Sequence, residues 1–409
     1  MKILITGAGF NNSGAQAMML CTVEEFITRF PDADIWVANA SSIPNEFENQ
    51  INFKYCSLSN SEFFYVANVL DKVKVIIKAI AKRILRGEKV DCLSFTKIMK
   101  NVDVVIDISG FALGDQWSDE NCLSFLARIV ASKKHSIPVF LMPQSIGPFE
   151  FSGTHRKQIL NILNECLDYP SIIFTREEEG YHLLVDNYKL KNVLYSSDLV
   201  LQSSVIYKNA LKNEDELSRN LSQYNISDGV AIIPNIHCFA FDNGLLLLLY
   251  RDIINRILKT NEHVYLIKHS KADTKVCQQI KEMFPDDNVV LINDEMNCIL
   301  FMNLIKKFKY IIGSRYHSIV HAYKNNVPCI ALGWATKYKE LLDIFHQGRY
   351  VNDIRTLQNS EQILLQIDYL ENHIIEEKEI IQEALAIVQK NNCFDLVETY
   401  IRKAVKAEG

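Results

Sequence analysis

The sequence predicts an α/β protein of two Rossmann-like domains facing a cleft. Three observations carry that expectation. Short apolar runs alternate with helix-period segments along most of the 409 residues, the pattern of parallel sheets joined by helical crossovers. The alternation stops in a polar, charged stretch at 203–228 and then begins again, which divides the chain into two units. Polar and glycine-bearing turns follow the strands, so they gather on one edge of each sheet, where open α/β sheets bind ligands. The domains are placed at 1–205 and 226–375, with a helical tail at 376–409 packing across both.

In chain order, Lys2 to Thr6 reads as a buried strand entering the glycine-rich turn Gly7 to Met18, and Met19 to Phe30 has helical periodicity. The glycines match neither the dinucleotide fingerprint nor a P-loop, because the spacing differs and no lysine follows the last one. Gly14, Ala15 and Ala17 let backbone approach either a ligand or a neighbouring element closely. Strands are expected at 35–38, 53–56, 103–108, 139–142, 172–174 and 192–195, with helices at 122–132 and from Thr175 to Val185. Between them, residues 69–86 place Val69, Val73, Ile76, Ile77, Ile80 and Ile84 on one helical face and Lys74, Lys78, Lys82 and Arg86 on the other. That basic amphipathic segment fits either a surface helix or one that meets an anionic membrane. The second alternation has strands at 230–233, 264–267, 289–292, 310–312 and 328–332.

Composition excludes several classes. A formal charge of −5 leaves no basic excess for nucleic acid. Ten cysteines without a CxxC pair suggest neither zinc nor a disulfide framework, and fit a reducing cytosol. Met1 to Thr6 is too brief for a signal-peptide core, and no run approaches the roughly 18 apolar residues of a membrane span. A cytoplasmic location is expected, with peripheral contact at the inner face of the membrane through 69–86.

The chemistry concentrates at 310–339. Tyr310 to Ile312 breaks at Gly313, and Ile319, Val320 and Tyr323 resume at helical spacing, so Ser314, Arg315 and His317 sit in a strand-to-helix turn. Free backbone N–H groups and the helix dipole make such a turn suited to an anion. Arg315 adds a charged fork, His317 a titratable ring, and Lys337 and Lys339 follow the next strand. His321 stands one turn after His317, but no carboxylate or cysteine at ligand spacing supports a metal pair.

Several segments in order resemble the polysaccharide pyruvyl transferase family. They are Asn12 to Met18, Gln144 to Phe149, Thr175 to Glu178, Ser197-Asp198, and Gly313 to Ala322 followed by Val327-Pro328 and Lys337. Together they span roughly residues 5 to 345. One departure is Ser109-Gly110, where the family usually carries Gly-Gly. The resemblance implies a GT-B-like fold, phosphoenolpyruvate as donor substrate with no cofactor, and pyruvate attached as a ketal to a sugar of a surface polysaccharide or its lipid-linked precursor. It places the acceptor on the N-terminal domain and phosphoenolpyruvate on the C-terminal one.

On that reading Arg315 and Arg176 hold carboxylate or phosphate, His317 binds phosphate or donates a proton with a pKa near neutrality, and Lys337 assists the leaving phosphate. Asp107 and Asp198 are candidate bases, with a turn-capping role favoured for Asp198. Ser314, Asn12, Gly14, Gln144, Asn235 and His237 complete the substrate-binding set, although His237 and His269 also read as satisfied loop histidines. Two alternatives are a GT-B nucleotide-sugar glycosyltransferase, with Glu340 toward the ribose, and a non-catalytic glycan-binding module.

Overall fold

A computed structural model describes residues 1–58, 62–66, 72–73, 77, 94–203, 207–227, 229–241, 244–260, 262–285, 287–334 and 336–408. The basic segment expected at 69–86 lies outside the described residues apart from Lys72, Val73 and Ile77. The N-terminal sheet is built from β1 (Lys2–Thr6), β2 (Asp34–Asn39), β3 (Lys54–Ser57), β4 (Val104–Asp107), β5 (Phe111–Leu113), β6 (Val139–Ile146), β7 (Ile172–Thr175) and β8 (Val193–Tyr195). Its order is β3-β2-β1-β4-β6-β7-β8, with β5 beside β6. The C-terminal sheet comprises β9 (Gly229–Ile233), β10 (His263–Ile267), β11 (Val289–Ile292), β12 (Ile311–Gly313), β13 (Cys329–Gly333) and β14 (Val351–Asp353), in the order β11-β10-β9-β12-β13-β14. Ladders within both sheets are parallel.

Helices cover both faces, so the strands are apolar on both sides and read as continuous hydrophobic runs. β6 is buried at all its positions yet contains Pro143, which has no N–H for the ladder. The β6–β7 register shifts between Leu141 and Gln144, and this irregularity absorbs the proline. The expected strand ends at Met142 because Pro143-Gln144 reads as a turn. The actual strand runs on to Ile146 and delivers Gln144 and Ser145 to the edge of the cleft.

In each sheet the winding reverses once, between β1 and β4 and between β9 and β12, and the turns beyond those strand ends diverge to leave a crevice. The two domains are not loosely tethered. One apolar core runs from Ile5, Met19 and Phe26 to Phe301, Ile319 and Leu332, and a second fills the opposite face of the N-terminal sheet. Glu24 is fully buried and accepts the backbone N–H groups of Asn209 and Ala210, each at 2.7 Å, which pins the connecting segment to the helix Ser13–Arg29. After the helix Ile374–Lys390, the helix Cys393–Glu408 returns to the N-terminal domain. There Phe394 meets Phe26 edge-on at 6.1 Å and Arg29 Nη1 bonds Asp395 and Glu398 at 2.6 and 2.7 Å.

Candidate active site

The C-terminal wall of the cleft is the turn after β12. Ser314 is fully buried: its N–H donates to Ile233, its carbonyl accepts from Asn235 Nδ2 and from the Tyr338 hydroxyl, and its own hydroxyl meets that of Tyr250 at 3.1 Å. Asn235 Oδ1 also accepts the His237 N–H at 3.0 Å. Ser314 and Asn235 therefore frame the turn, their polar atoms tying the ends of β9 and β12 to Tyr250 and Tyr338. The His237 side chain is exposed on the turn outside this frame.

Arg315 opens the helix Tyr316–Lys324 but is not an unpaired cation. Its Nε and Nη2 form a two-pronged pair with Asp273 at 3.0 and 2.5 Å. Asp273, fully buried, also accepts the backbone N–H groups of Ile236 and Ser270. The expected fork for substrate is thus half spent, leaving Nη1 without a protein partner among the described residues.

Two residues later, His317 faces the N-terminal domain, with Nε2 3.8 Å from Asp198 Oδ2. That is too long for a hydrogen bond, and the buried Nε2 has no partner among the described residues. Burial pushes its pKa down to about 4; Asp198 opposes this, while Arg176 and Lys337 reinforce it. The expectation of a pKa near neutrality is corrected, because desolvation outweighs the neighbouring carboxylate. At pH 7 the ring is neutral.

The N-terminal wall supplies Arg176, just past β7. Its Nη1 bonds Asp198 at 2.7 Å, its Nη2 bonds Ser145 Oγ at 2.8 Å, and its plane lies 4.8 Å from the Tyr316 ring centroid. Asp198 Oδ1 accepts the N–H of Val200 at 3.0 Å and so caps the short helix Leu199–Gln202. Asp107, expected as a base, is fully buried; Oδ2 takes Arg128 at 2.7 Å and Thr6 at 2.9 Å, and Oδ1 takes the Ser109 N–H. Arg128 is shared with Glu62. A carboxylate so occupied braces the ends of β1 and β4, with three of its roughly four acceptor sites taken.

Asn12 caps the helix Ser13–Arg29 by accepting the Ala15 N–H at 2.9 Å. A Cβ added to Gly14 would stand 2.6 Å from His317 Cγ, so the close approach this glycine permits is to the other domain's imidazole. Gln144 is fully buried, and neither amide atom has a partner among the described residues.

Lys337 differs from both arginines. Its ammonium has no ion-pair partner among the described residues and lies 5.8, 5.6 and 5.9 Å from the ring centroids of Phe111, Tyr316 and Tyr338. Burial lowers it to about 8, with Arg176 adding to the effect. It lines a cavity of about 290 Å³ between the domains with Phe111, Ser145, Gly147, Glu177 and Trp334. Further ties cross the same seam: Ser13 Oγ meets His269 Nε2 at 3.4 Å, and Gln16 Oε1 accepts the Cys298 N–H at 2.9 Å.

Sequence reasoning brought Arg176, Arg315, His317 and Lys337 to one cleft but missed what surrounds them. Asp273 lies some forty positions before Arg315 in another loop, so no spacing reveals the pair. Ser145 and Glu177 adjoin named residues, and the polar run after each strand was the signal that could have found them. Among the described residues no three metal-ligating side chains cluster.

Two Rossmann-like domains enclosing a polar cleft at their strand ends define the GT-B class. Comparison with solved structures agrees. The chain is similar to the UDP-GlcNAc 2-epimerase of Neisseria meningitidis bound to UDP-GlcNAc, at 12% identity and a TM-score of 0.60, covering 98% of this chain and 100% of that one. It is also similar to a glycosyltransferase from Rickettsia africae ESF-5, at 13% identity and TM-score 0.56, covering 99% and 98%. A third is the UDP-GlcNAc 2-epimerase of Methanocaldococcus jannaschii, at 14% and 0.55, covering 90% and 92%. At such identities the likeness is one of fold. Within that class, the polysaccharide pyruvyl transferase model matches residues 12–336, and the chain belongs to the polysaccharide pyruvyl transferase family. Comparison with curated proteins gives no match.

Proposed function

We propose that this protein transfers pyruvate from phosphoenolpyruvate to two hydroxyls of one sugar in a surface polysaccharide or its lipid-linked precursor, forming a ketal. The observation that carries the reading is the ammonium of Lys337, without an ion-pair partner among the described residues, in a cavity between the domains, flanked by Arg176 and by neutral His317. Phosphoenolpyruvate presents a phosphate and a carboxylate, and a donor of that charge needs cations that the protein has not already neutralised. Lys337 meets this need fully, and Arg176 Nε and Arg315 Nη1 remain as hydrogen-bond donors beyond their carboxylate partners. Neutral His317 can donate one ring N–H to a phosphate oxygen without adding charge. On loss of phosphate, the ammonium and these donors stabilise the departing charge.

The glycosyltransferase alternative has weaker support. Glu340 would be required toward a ribose, yet it accepts the Glu178 N–H at 2.8 Å and lies 3.5 Å from the Tyr195 hydroxyl. Thermal midpoints measured with phosphoenolpyruvate, inorganic phosphate and nucleotide sugars test the reading. A ligand at 100 times its Kd stabilises by about 2.7 kcal/mol. Phosphoenolpyruvate is expected to raise the midpoint, and Lys337→Ala to remove most of that rise. A rise with nucleotide sugars alone would overturn the proposal.

A lipid-linked acceptor would bring the enzyme to the inner face of the membrane, with the lysines of 69–86 toward anionic lipid. No described helix is long and apolar enough to cross a membrane. Co-sedimentation with phosphatidylglycerol vesicles at low salt, lost on charge reversal at Lys74, Lys78 and Lys82, is the expected outcome; equal sedimentation of the variant would remove this part of the reading.

A further inference from the structure

Ketal formation needs a base for the attacking hydroxyl, and the cleft has few carboxylates able to serve. Asp107 is spent on Arg128 and Thr6, Asp198 on Arg176 and a helix cap, and Asp273 on Arg315 and two backbone N–H groups. Glu340 is engaged with Glu178 and Tyr195, and Glu178 and Glu179 are exposed. Glu177 differs from all of these. It is 7% exposed, lines the 290 Å³ cavity with Lys337, and accepts Ser145 Oγ on Oε1 at 2.8 Å. Its Oε2 has no hydrogen-bond partner among the described residues.

Orientation is built in. Arg176 Nη2 donates to Ser145 Oγ, which in turn donates to Glu177, and Arg176 Nε stands 3.8 Å from the same carboxylate. A carboxylate fixed at one oxygen, screened from bulk water and open at the other has the arrangement required of a general base. Phe111 and Trp334 line the same cavity and offer apolar faces to a pyranose ring.

We propose that Glu177 takes the proton of the attacking sugar hydroxyl, and that Lys337, in the same cavity, is the acid that protonates the methylene carbon of the enol. This rests on the pyruvyl transfer reading above. In the addition step the sugar oxygen bonds C2 of phosphoenolpyruvate as its proton passes to Glu177 Oε2. The π electron pair moves to C3, which takes a proton from the Lys337 ammonium and becomes the methyl group; transfer from Glu177 to Lys337 then restores both. In the second step the bond between C2 and the phosphate oxygen breaks with its electron pair leaving on phosphate. The second hydroxyl bonds C2, and its proton passes through Glu177 to the departing phosphate. Burial makes the Lys337 ammonium a stronger acid than a surface lysine, which suits this donation.

The test is phosphate release from phosphoenolpyruvate with a panel of methyl hexopyranosides and methyl N-acetylhexosaminides, using the best acceptor for kinetics. Glu177→Gln keeps the shape and an acceptor for Ser145 but cannot take a proton. It is expected to lose 10²–10⁴-fold in kcat while the KM for phosphoenolpyruvate and the midpoint rise it induces stay within about twofold. Glu177→Asp should recover part of the rate, and a fold defect would show instead as a lost midpoint rise. Lys337→Arg should still bind phosphoenolpyruvate, yet lose rate together with the alkaline limb near pH 8 that the wild-type profile is expected to show. A kcat for Glu177→Gln within threefold of wild type would overturn the base, and an unchanged limb in Lys337→Arg would overturn the acid. If wild-type protein releases no phosphate with any acceptor, the pyruvyl transfer reading itself falls and takes this inference with it.

Discussion

His317 and His321 show how burial decides charge at single residues. Burial holds both neutral, His317 at about 4 against the opposing pull of Asp198 and His321 at about 3 with His317 adding to the effect. His321 is fully buried, edge-on to Phe301 at 5.5 Å, with neither ring nitrogen partnered among the described residues. In the unfolded chain both titrate near 6.5. Below that pH the unfolded state binds more protons than the folded one, so stability is full above about 6.5 and is lost progressively as pH falls toward 4 and 3. His321→Phe is expected to flatten the melting temperature against pH between 6.5 and 4 and to cost little at pH 7, since it removes two unmet polar atoms. An unchanged slope in a pH series of thermal melts would refute this account.

At the scale of elements, the helix Ser13–Arg29 and the helix Tyr316–Lys324 meet across the cleft at one glycine. On propensity alone, Gly14→Ala should stabilise the first helix by about 1 kcal/mol. The added Cβ would lie 2.6 Å from His317 Cγ and Nδ1 and 3.1 Å from Cβ, so the imidazole must rotate out of its place in the cleft while the backbone gives by a few tenths of an ångström. We expect the variant to keep its circular dichroism and lose at least tenfold in kcat/KM for phosphoenolpyruvate; a value within twofold of wild type would show that the seam yields without cost. A similar logic governs the turn after β12. Asp273→Asn removes the charge from the buried partner of the partly exposed Arg315, and is expected to cost somewhat less than the about 3–5 kcal/mol of breaking a fully buried pair, measurable as a fall in the urea midpoint.

For the whole molecule, the helix Cys393–Glu408 closes the N-terminal domain from the far end of the chain. Phe394 is 1% exposed and fills the space beside Phe26. Phe394→Ala is expected to cost about 3–5 kcal/mol, with one cooperative transition retained because the apolar core is continuous between the domains. Two separate transitions, with only the N-terminal one shifted, would show that the domains unfold independently.

The sequence by itself determined the two alternating β-α units, the crevice-side turns and the family, because apolar periodicity and turn chemistry are local and survive without coordinates. Arg315, His317, Arg176 and Lys337 were legible for the same reason: each sits in a short motif at the end of a strand. Only the tertiary structure decided which of them keeps its charge for a ligand. Asp273 reaches Arg315 from a separate loop, Asp198 reaches Arg176 from beyond β8, and Arg128 reaches Asp107 from a helix. Each of these pairings joins residues distant in sequence, and no periodicity encodes them. The same folding that spends those charges leaves the Lys337 ammonium without an ion-pair partner and the second oxygen of Glu177 without a hydrogen-bond partner among the described residues, since partner choice and desolvation depend on what the completed fold brings near.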